Sequence, residues 1–373
     1  MLHEAQRRGL HRLRFLSRDG QIFHELARRL ESRLDTGLDL EYVYSSRLTW
    51  SLAATDPNHL DDASWLFNSF MKSNATDLCA RLGIPFDDYS SALTSSGVSL
   101  NPDLRADHDH QRESMRRFLR AAVVKDAAAQ RITETRQLLL EYADQHLLAD
   151  SVTGLVDAGW TGRMIGSLVH VCESAGAERP HALLWGHEPR PTGWTDPTRV
   201  AAYMYNSAIG QGLQWRVPDA PFIMETFCMG DHGIVSGYRR TPLGQVAPIL
   251  QAPDNATAET WGLSTYRSTI YAFVDSLTGV PVDDLRPMIH QLMDTFWCNP
   301  TLAEATAWGE YPYDSDPAGT AVRPLARAFS GRVPVRADRA WLAGSLALSA
   351  ERLRGQYVAR SHTAEEQGTH ASD

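Results

Sequence analysis

Cysteine is scarce and unpaired in this chain. Cys79, Cys172, Cys228 and Cys298 lie far apart with no CxxC spacing, which excludes a zinc knuckle or a disulfide framework and fits reduced thiols in a cytoplasm. Long apolar runs are missing as well. No uninterrupted stretch reaches spanning length, and the basic N-terminus MLHEAQRRGLHRLR has no apolar h-region, so neither a membrane span nor a targeting segment is expected. Basic charge is in deficit, with 36 Lys+Arg against 45 Asp+Glu and a net charge of −9. That balance argues against a general nucleic-acid partner but leaves room for a local basic pocket and a small anionic ligand. No GxGxxG, Walker A or GxSxG signature occurs, which weakens nucleotide-redox, NTPase and serine-hydrolase readings.

What is present is the composition of an ordinary soluble globular chain, 43% hydrophobic and 22% charged over 373 residues, enough for two domains or one enlarged domain. Residues 1–50 alternate helix and strand: LRFL and LEYVYSS are strand-like, and IFHELARRLESRL between them is amphipathic, a spacing that predicts parallel pairing through a crossover. Residues 51–149 lose the strand pattern. DDASWLFNSFM, ATDLCARLG, QRESMRRFLRAAVVKDAAAQ and ETRQLLLEYADQHLLAD read as helices of an insertion or cap. Alternation resumes over 150–215 with VTGLV, an apolar helix GRMIGSLVHVC and the strand HALLWGH. RVAAYMYN, FIMETFCM and GIVSGY are further strand candidates. Residues 216–355 form a mixed, then helical, extension in which NPTLAEATAWG carries a capping box, Thr301 with Glu304. The tail 356–373 has the composition of a disordered segment.

Three strand ends carry polar turns: FLSRDGQ, VYSSR and LVDAGW. Together they resemble the haloacid dehalogenase-like superfamily, and more narrowly those members associated with bacterial glycosyltransferases and surface-polysaccharide loci, in which an SRDG turn and a D-x-G-W-x-G turn recur. The resemblance covers residues 11–47, 150–170 and 296–309. It implies an α/β fold, a Rossmann-like core with a parallel sheet, a helical insertion after the second strand and a C-terminal helical extension.

The family chemistry uses a carboxylate nucleophile, a second carboxylate two residues later as general acid/base, and Mg²⁺ held by strand-end acids. Carried over by position, Ser17 stands in the nucleophile place, Asp19 is the acid/base, and Asp19 with Asp157 holds the metal. Ser45 or Ser46 supplies the phosphate-binding hydroxyl. Arg18, Arg47 and Arg163 sit beside the three turns, and Gly162 opens the helix after the third, so these residues are expected to converge on phosphate. The basic residue expected before the fourth family strand is Lys125 or Arg131. The resemblance thus implies a Mg²⁺-dependent phosphohydrolase or phosphotransferase acting on a phosphorylated sugar or related metabolite, in surface-glycan biosynthesis. Serine in the nucleophile place is a departure, because no aspartyl-phosphate can form there. A register shifted by two residues would make Asp19 the nucleophile and Gln21 the acid/base. The alternatives are a catalytically lapsed module that binds a phosphorylated glycan precursor or partners a glycosyltransferase, and a nucleotide-sugar glycosyltransferase.

Each of these residues also has a purely structural reading. Asp19 and Asp157 are types that cap the helices following them, and the three arginines are types that usually lie solvated on the surface. Glu225 and His232 would form an acid/base pair only if both face the pocket. The ADHDH stretch ending at Asp107–His110 reads as a solvated turn rather than a metal site, and Trp160, Trp185 and Trp308 read as core.

Overall fold

The computed structural model describes residues 1–67, 75–100, 109–189, 196–217, 220–277, 285–314, 322–330 and 340–350. In chain order the first half forms α1 (Leu2–Arg7), β1 (Arg12–Leu16), α2 (Gly20–Leu34), β2 (Asp39–Val43), α3 (Arg47–Ala54), α4 (Ala75–Leu82), α5 (Ser90–Ser95), α6 (Asp109–Arg120) and α7 (Ala122–Gln145). There follow β3 (Thr153–Trp160), α8 (Arg163–Ser174), β4 (His181–His187), β5 (Val200–Asn206), α9 (Ala220–Phe227), β6 (Val235–Arg240) and β7 (Val246–Leu250). The chain continues through α10 (Ala256–Trp261), α11 (Leu263–Ser276), α12 (Arg286–Cys298), α13 (Leu302–Gly309), β8 (Pro312–Asp314), β9 (Val322–Pro324) and α14 (Leu342–Leu348).

β1 to β5 make one parallel sheet in the order β2-β1-β3-β4-β5, a Rossmann-like α/β arrangement. Its central strands β1, β3 and β4 are mostly buried because both faces are covered, whereas the edge strand β2 is largely part-exposed. Leu13, Phe15, Val156 and Leu183 point to the side of α1 and α2, where Leu2, Ala5 and Ala27 meet them. Leu16, Leu155, Ala182, Leu184 and Val200 point the other way, onto Trp50 of α3, Leu139 and Tyr142 of α7, and Ile165 and Leu168 of α8. The chain leaves β1 for β2 on one side and returns to β3 on the other, so the strand order reverses at β1, where open parallel sheets place their ligands.

The helical insertion has its own core, in which Leu60, Leu66, Leu78, Leu82, Leu93, Phe118 and Ile132 are buried together. Its last helix is shared with the sheet. α7 belongs to both bodies, with Ile132 in the insertion core and Leu139 and Tyr142 beneath the sheet. A 24-residue helix, roughly 36 Å long, is long enough to serve both. The antiparallel β6–β7 hairpin packs on this helix through Tyr238, which stacks on Tyr142 at 4.5 Å between ring centroids. The C-terminal elements share an aromatic core in which Trp308 lies against Phe227, Phe296 and Trp261. Trp160 and Trp185 pack against the same cluster.

The expected strand FIMETFCM is instead helix α9 and its C-terminal flank. Its apolar residues recur at helical spacing, so Ile223, Met224 and Cys228 reach one core together. Strands were found at LRFL, LEYV, HALLWGH, AAYMYN and VSGY, and the Thr301–Glu304 capping box is formed. Residues 101–108, including Asp107, and the tail 356–373 lie outside the described residues.

One buried hydroxyl joins three parts of this fold. Tyr238 Oη donates to the Tyr44 carbonyl at 2.7 Å and accepts from Trp50 Nε1 at 2.9 Å, tying the hairpin to the end of β2 and to α3. Tyr238→Phe leaves a buried N–H and a buried carbonyl without their partner, and should lower the unfolding free energy by about 2–3 kcal/mol with the denaturant m-value unchanged in urea titration.

Candidate functional site at the strand ends

β1 ends at Leu16, and the turn Ser17–Asp19 leads directly into α2. Gly20 is required at that junction: a Cβ there would lie 2.8 Å from the backbone carbon of Phe15, so only glycine lets the helix start this close to its strand. Ser17 Oγ donates to the Ser45 carbonyl and accepts from the Ser45 amide, both at 2.8 Å, while Ser45 Oγ donates to the Ser17 carbonyl at 3.2 Å. The two hydroxyls therefore fasten β1 to β2. Ser46 is the N-cap of α3, its Oγ accepting from the Thr49 amide at 3.3 Å.

Asp19 and Asp157 do not have the capping roles their residue type allows. Asp19 occupies the N-cap position of α2 but makes no side-chain cap hydrogen bond. The N-cap of α8 is Gly162, in the left-handed region at φ 65°, while Asp157 accepts from the backbone amides of Ala158 and Gly159. Both residues are half-buried at the C-terminal edge of the sheet, with their carboxyl groups turned away from water. Burial first, then the charges of Asp157 and Glu225, push the Asp19 carboxyl well above the usual carboxylate range, against the pull of Arg18 and Arg47. Burial likewise pushes Asp157 up to about 6, opposed by Arg47 and the two amides and reinforced by Glu225. Three acids thus meet two cations at the point where the strand order reverses.

Arg47 begins α3 and lies 3.9 Å from Glu225 of α9. The stem of Arg18 crosses Gly230, where an added Cβ would come within 2.9 Å of Arg18 Cβ. The loop holding Gly230 is in turn fixed to α2 and α11. Gln21 Nε2 donates to Asp231 Oδ1 at 2.7 Å, and Gln21 Oε1 accepts from the Asp231 amide at 2.9 Å and from Arg267 Nη2 at 2.7 Å. Gln21, the acid/base of the shifted register, is thereby committed to structure. Arg267 Nη2 also donates to the Met229 carbonyl at 2.8 Å. Cys228, buried beside the acids, has its thiol pushed up by burial and by the charges of Asp19, Asp157 and Glu225.

The remaining expectations separate. His232 does not pair with Glu225: its Nδ1 faces the Gly233 carbonyl and its Nε2 the Tyr42 hydroxyl, both at 2.7 Å, and burial lowers its pKa. Tyr42 also contacts Ser17, so this neutral imidazole backs the β1 turn. Arg163 lines a different cleft, with Ser51 and Trp65. Arg131 pairs with Glu134 along α7, and Lys125 stands in the first turn of the same helix; the cations acting on the acids are Arg18 and Arg47. Among the described residues no three His, Cys, Asp or Glu side chains are grouped to hold a metal ion, and no helix is long and apolar enough to cross a membrane. No protein-family model matches the chain, and no curated protein matches it.

Acids whose folded pKa is raised stabilise the fold only at low pH. Their contribution is complete below the unfolded value of 3.8 and is lost as the pH rises through about 6 for Asp157. Asp157→Asn should therefore unfold less readily than wild type at pH 8 in chelator, by about 1–3 kcal/mol. The difference should close by pH 4 in paired thermal or urea denaturation. A variant less stable than wild type at pH 8 would mean that the carboxylate is not crowded.

Proposed function

We propose that the strand-end crevice binds a phosphorylated metabolite together with Mg²⁺, in the manner of the haloacid dehalogenase-like superfamily, and acts on a phosphorylated sugar or related compound as a phosphohydrolase or phosphotransferase. The observation that carries this reading is the crowding of Asp19 by Asp157 and Glu225 between Arg18 and Arg47 at the strand-order reversal. Carboxylates raised by one another favour a cation, and guanidinium groups beside them favour phosphoryl oxygens.

Asp19 and Asp157 would hold Mg²⁺, with water completing its shell as is usual for this ion, and when bound it would neutralise phosphoryl charge. Asp19 is the proton carrier. Burial and the charges of Asp157 and Glu225 raise its affinity for a proton, the property a group needs to give one to the leaving oxygen and to take one back from water. Arg18 and Arg47 orient the phosphoryl group. Ser46 Oγ accepts from Thr49 and so keeps its own proton to donate.

The hydroxyl of Ser17 is tied to Ser45. Attack by water rather than through a covalent enzyme intermediate is the route this residue set supports. The same Ser17–Ser45 tie favours a second reading, a module that binds a phosphorylated glycan precursor without turning it over, as the partner of a glycosyltransferase.

Calorimetric titration with Mg²⁺ tests the site. Wild type should bind the ion, and Asp19→Asn should bind it roughly tenfold more weakly or worse. Equal and negligible heats in both folded proteins would remove the metal and leave Asp19 a turn residue. Turnover separates the two readings. Aryl phosphate hydrolysis by wild type that is lost in Asp19→Asn supports a phosphoryl-transfer site, whereas Mg²⁺ binding without hydrolysis supports the binding module.

A further inference from the structure

Away from the acids, a second cleft of about 330 Å³ opens between the core and the helical insertion, a volume suited to one small-molecule ring. Its walls are Ser51 and Thr55 on the outer half of α3, Arg163 and Ser167 on the first turns of α8, and Trp65 on the 3₁₀ turn Ser64–Phe67, with Asp62 at the rim. Trp65 is half-buried and fixed: its Nε1 donates to Thr55 Oγ1 at 2.9 Å, and Thr55 Oγ1 donates to the Ser51 carbonyl at 2.7 Å. The end of α3 is held as well, since Arg136 donates to the carbonyls of Ala53 and Thr55 at 2.8 and 2.9 Å.

Ser51 is the decisive residue. The residue is only 3% exposed, its Oγ is buried with no hydrogen-bond partner, and it lines the cleft. A buried hydroxyl left without a partner is unfavourable, and most such groups in folded proteins are satisfied by protein, water or ligand. We infer that this cleft binds a single sugar ring, with the apolar face of the ring against Trp65 and its hydroxyls on Ser51, Ser167, Arg163 and Asp62.

The lining selects this class over others. A pyranose offers an apolar C–H face and hydroxyls that both donate and accept, matching an amphipathic indole beside serine, carboxylate and guanidinium groups. An acyl chain would leave those polar groups without partners. A free phosphate would meet the carboxylates of Asp56 and Asp62 at the rim. No lining residue belongs to the acid cluster, so the inference does not rest on the phosphoryl reading.

Saturation-transfer NMR on the full chain, with the methyl glycosides of glucose, galactose and N-acetylglucosamine as probes, tests it. At least one glycoside should receive saturation, most strongly on protons of one ring face, and should do so unchanged in EDTA. Ser167→Phe, which fills the cleft from a half-exposed position, and Ser51→Ala, which removes only the buried hydroxyl, should each weaken binding by about fivefold or more. Thermal denaturation confirms that each variant is folded. Absence of transfer to all three probes overturns the inference, as does binding that survives Ser167→Phe or is lost in EDTA.

Discussion

Three hydrogen bonds between Ser17 and Ser45 hold the ends of β1 and β2 in one frame, and the geometry of the crevice depends on them. A parallel ladder ends where its strands diverge, and the polar groups there need new partners. Here two side-chain hydroxyls supply them. The frame sets where α2 and α3 begin, hence where Asp19, Ser46 and Arg47 stand, and the pairing of β3 against the other edge of β1 brings in Asp157. Because the hydroxyl of Ser17 is used in the frame, the ionisable acid of this turn is Asp19, two residues on.

Gathering Asp19, Asp157 and Glu225 works against folding at neutral pH, so the surroundings must hold them in place. The sheet does so from below, where β1 is buried on both faces and paired on both edges. From the side, Gln21, Asp231 and Arg267 form a closed set of charge-assisted hydrogen bonds that fixes the Gly230 loop against the stem of Arg18. Arg267 is among the few buried charges, and its bonds to Gln21, Asp231 and the Met229 carbonyl offset the loss of water around it. The stem of Arg18, which faces the acids, is thereby held in place by the fold itself.

The strands were legible because a parallel strand covered on both sides must be an apolar run, and LRFL, TGLV and HALLW are such runs. Asp19, Ser46, Arg47 and Asp157 were legible because the first three follow their strands within a few residues and Asp157 stands in the C-terminal half of β3, so local order alone carries them to one edge. The supporting set was not. Gln21 and Asp231 are 210 residues apart in sequence, and nothing local in FLSRDGQ or CMGDHG announces that they meet. α9 was misread because a short apolar stretch fits a strand or a helix equally until its partners are known. Arg163 follows its strand just as closely as the others, yet lines the cleft beside Ser51, which shows how little strand-end position says about where a long side chain goes.

α3 links the two regions physically. It is an eight-residue helix, about 12 Å long. Its N-cap Ser46 and first residue Arg47 stand on the side of the acids, and Ser51 and the C-cap Thr55 line the cleft. Trp50 between them is fully buried and bonded to Tyr238, while Arg136 closes the far end. A segment this short, pinned in its middle and at both ends, has no hinge of its own. The helix that holds Trp65 through Thr55 at one end therefore presents at its other end Arg47, whose charge acts on both Asp19 and Asp157.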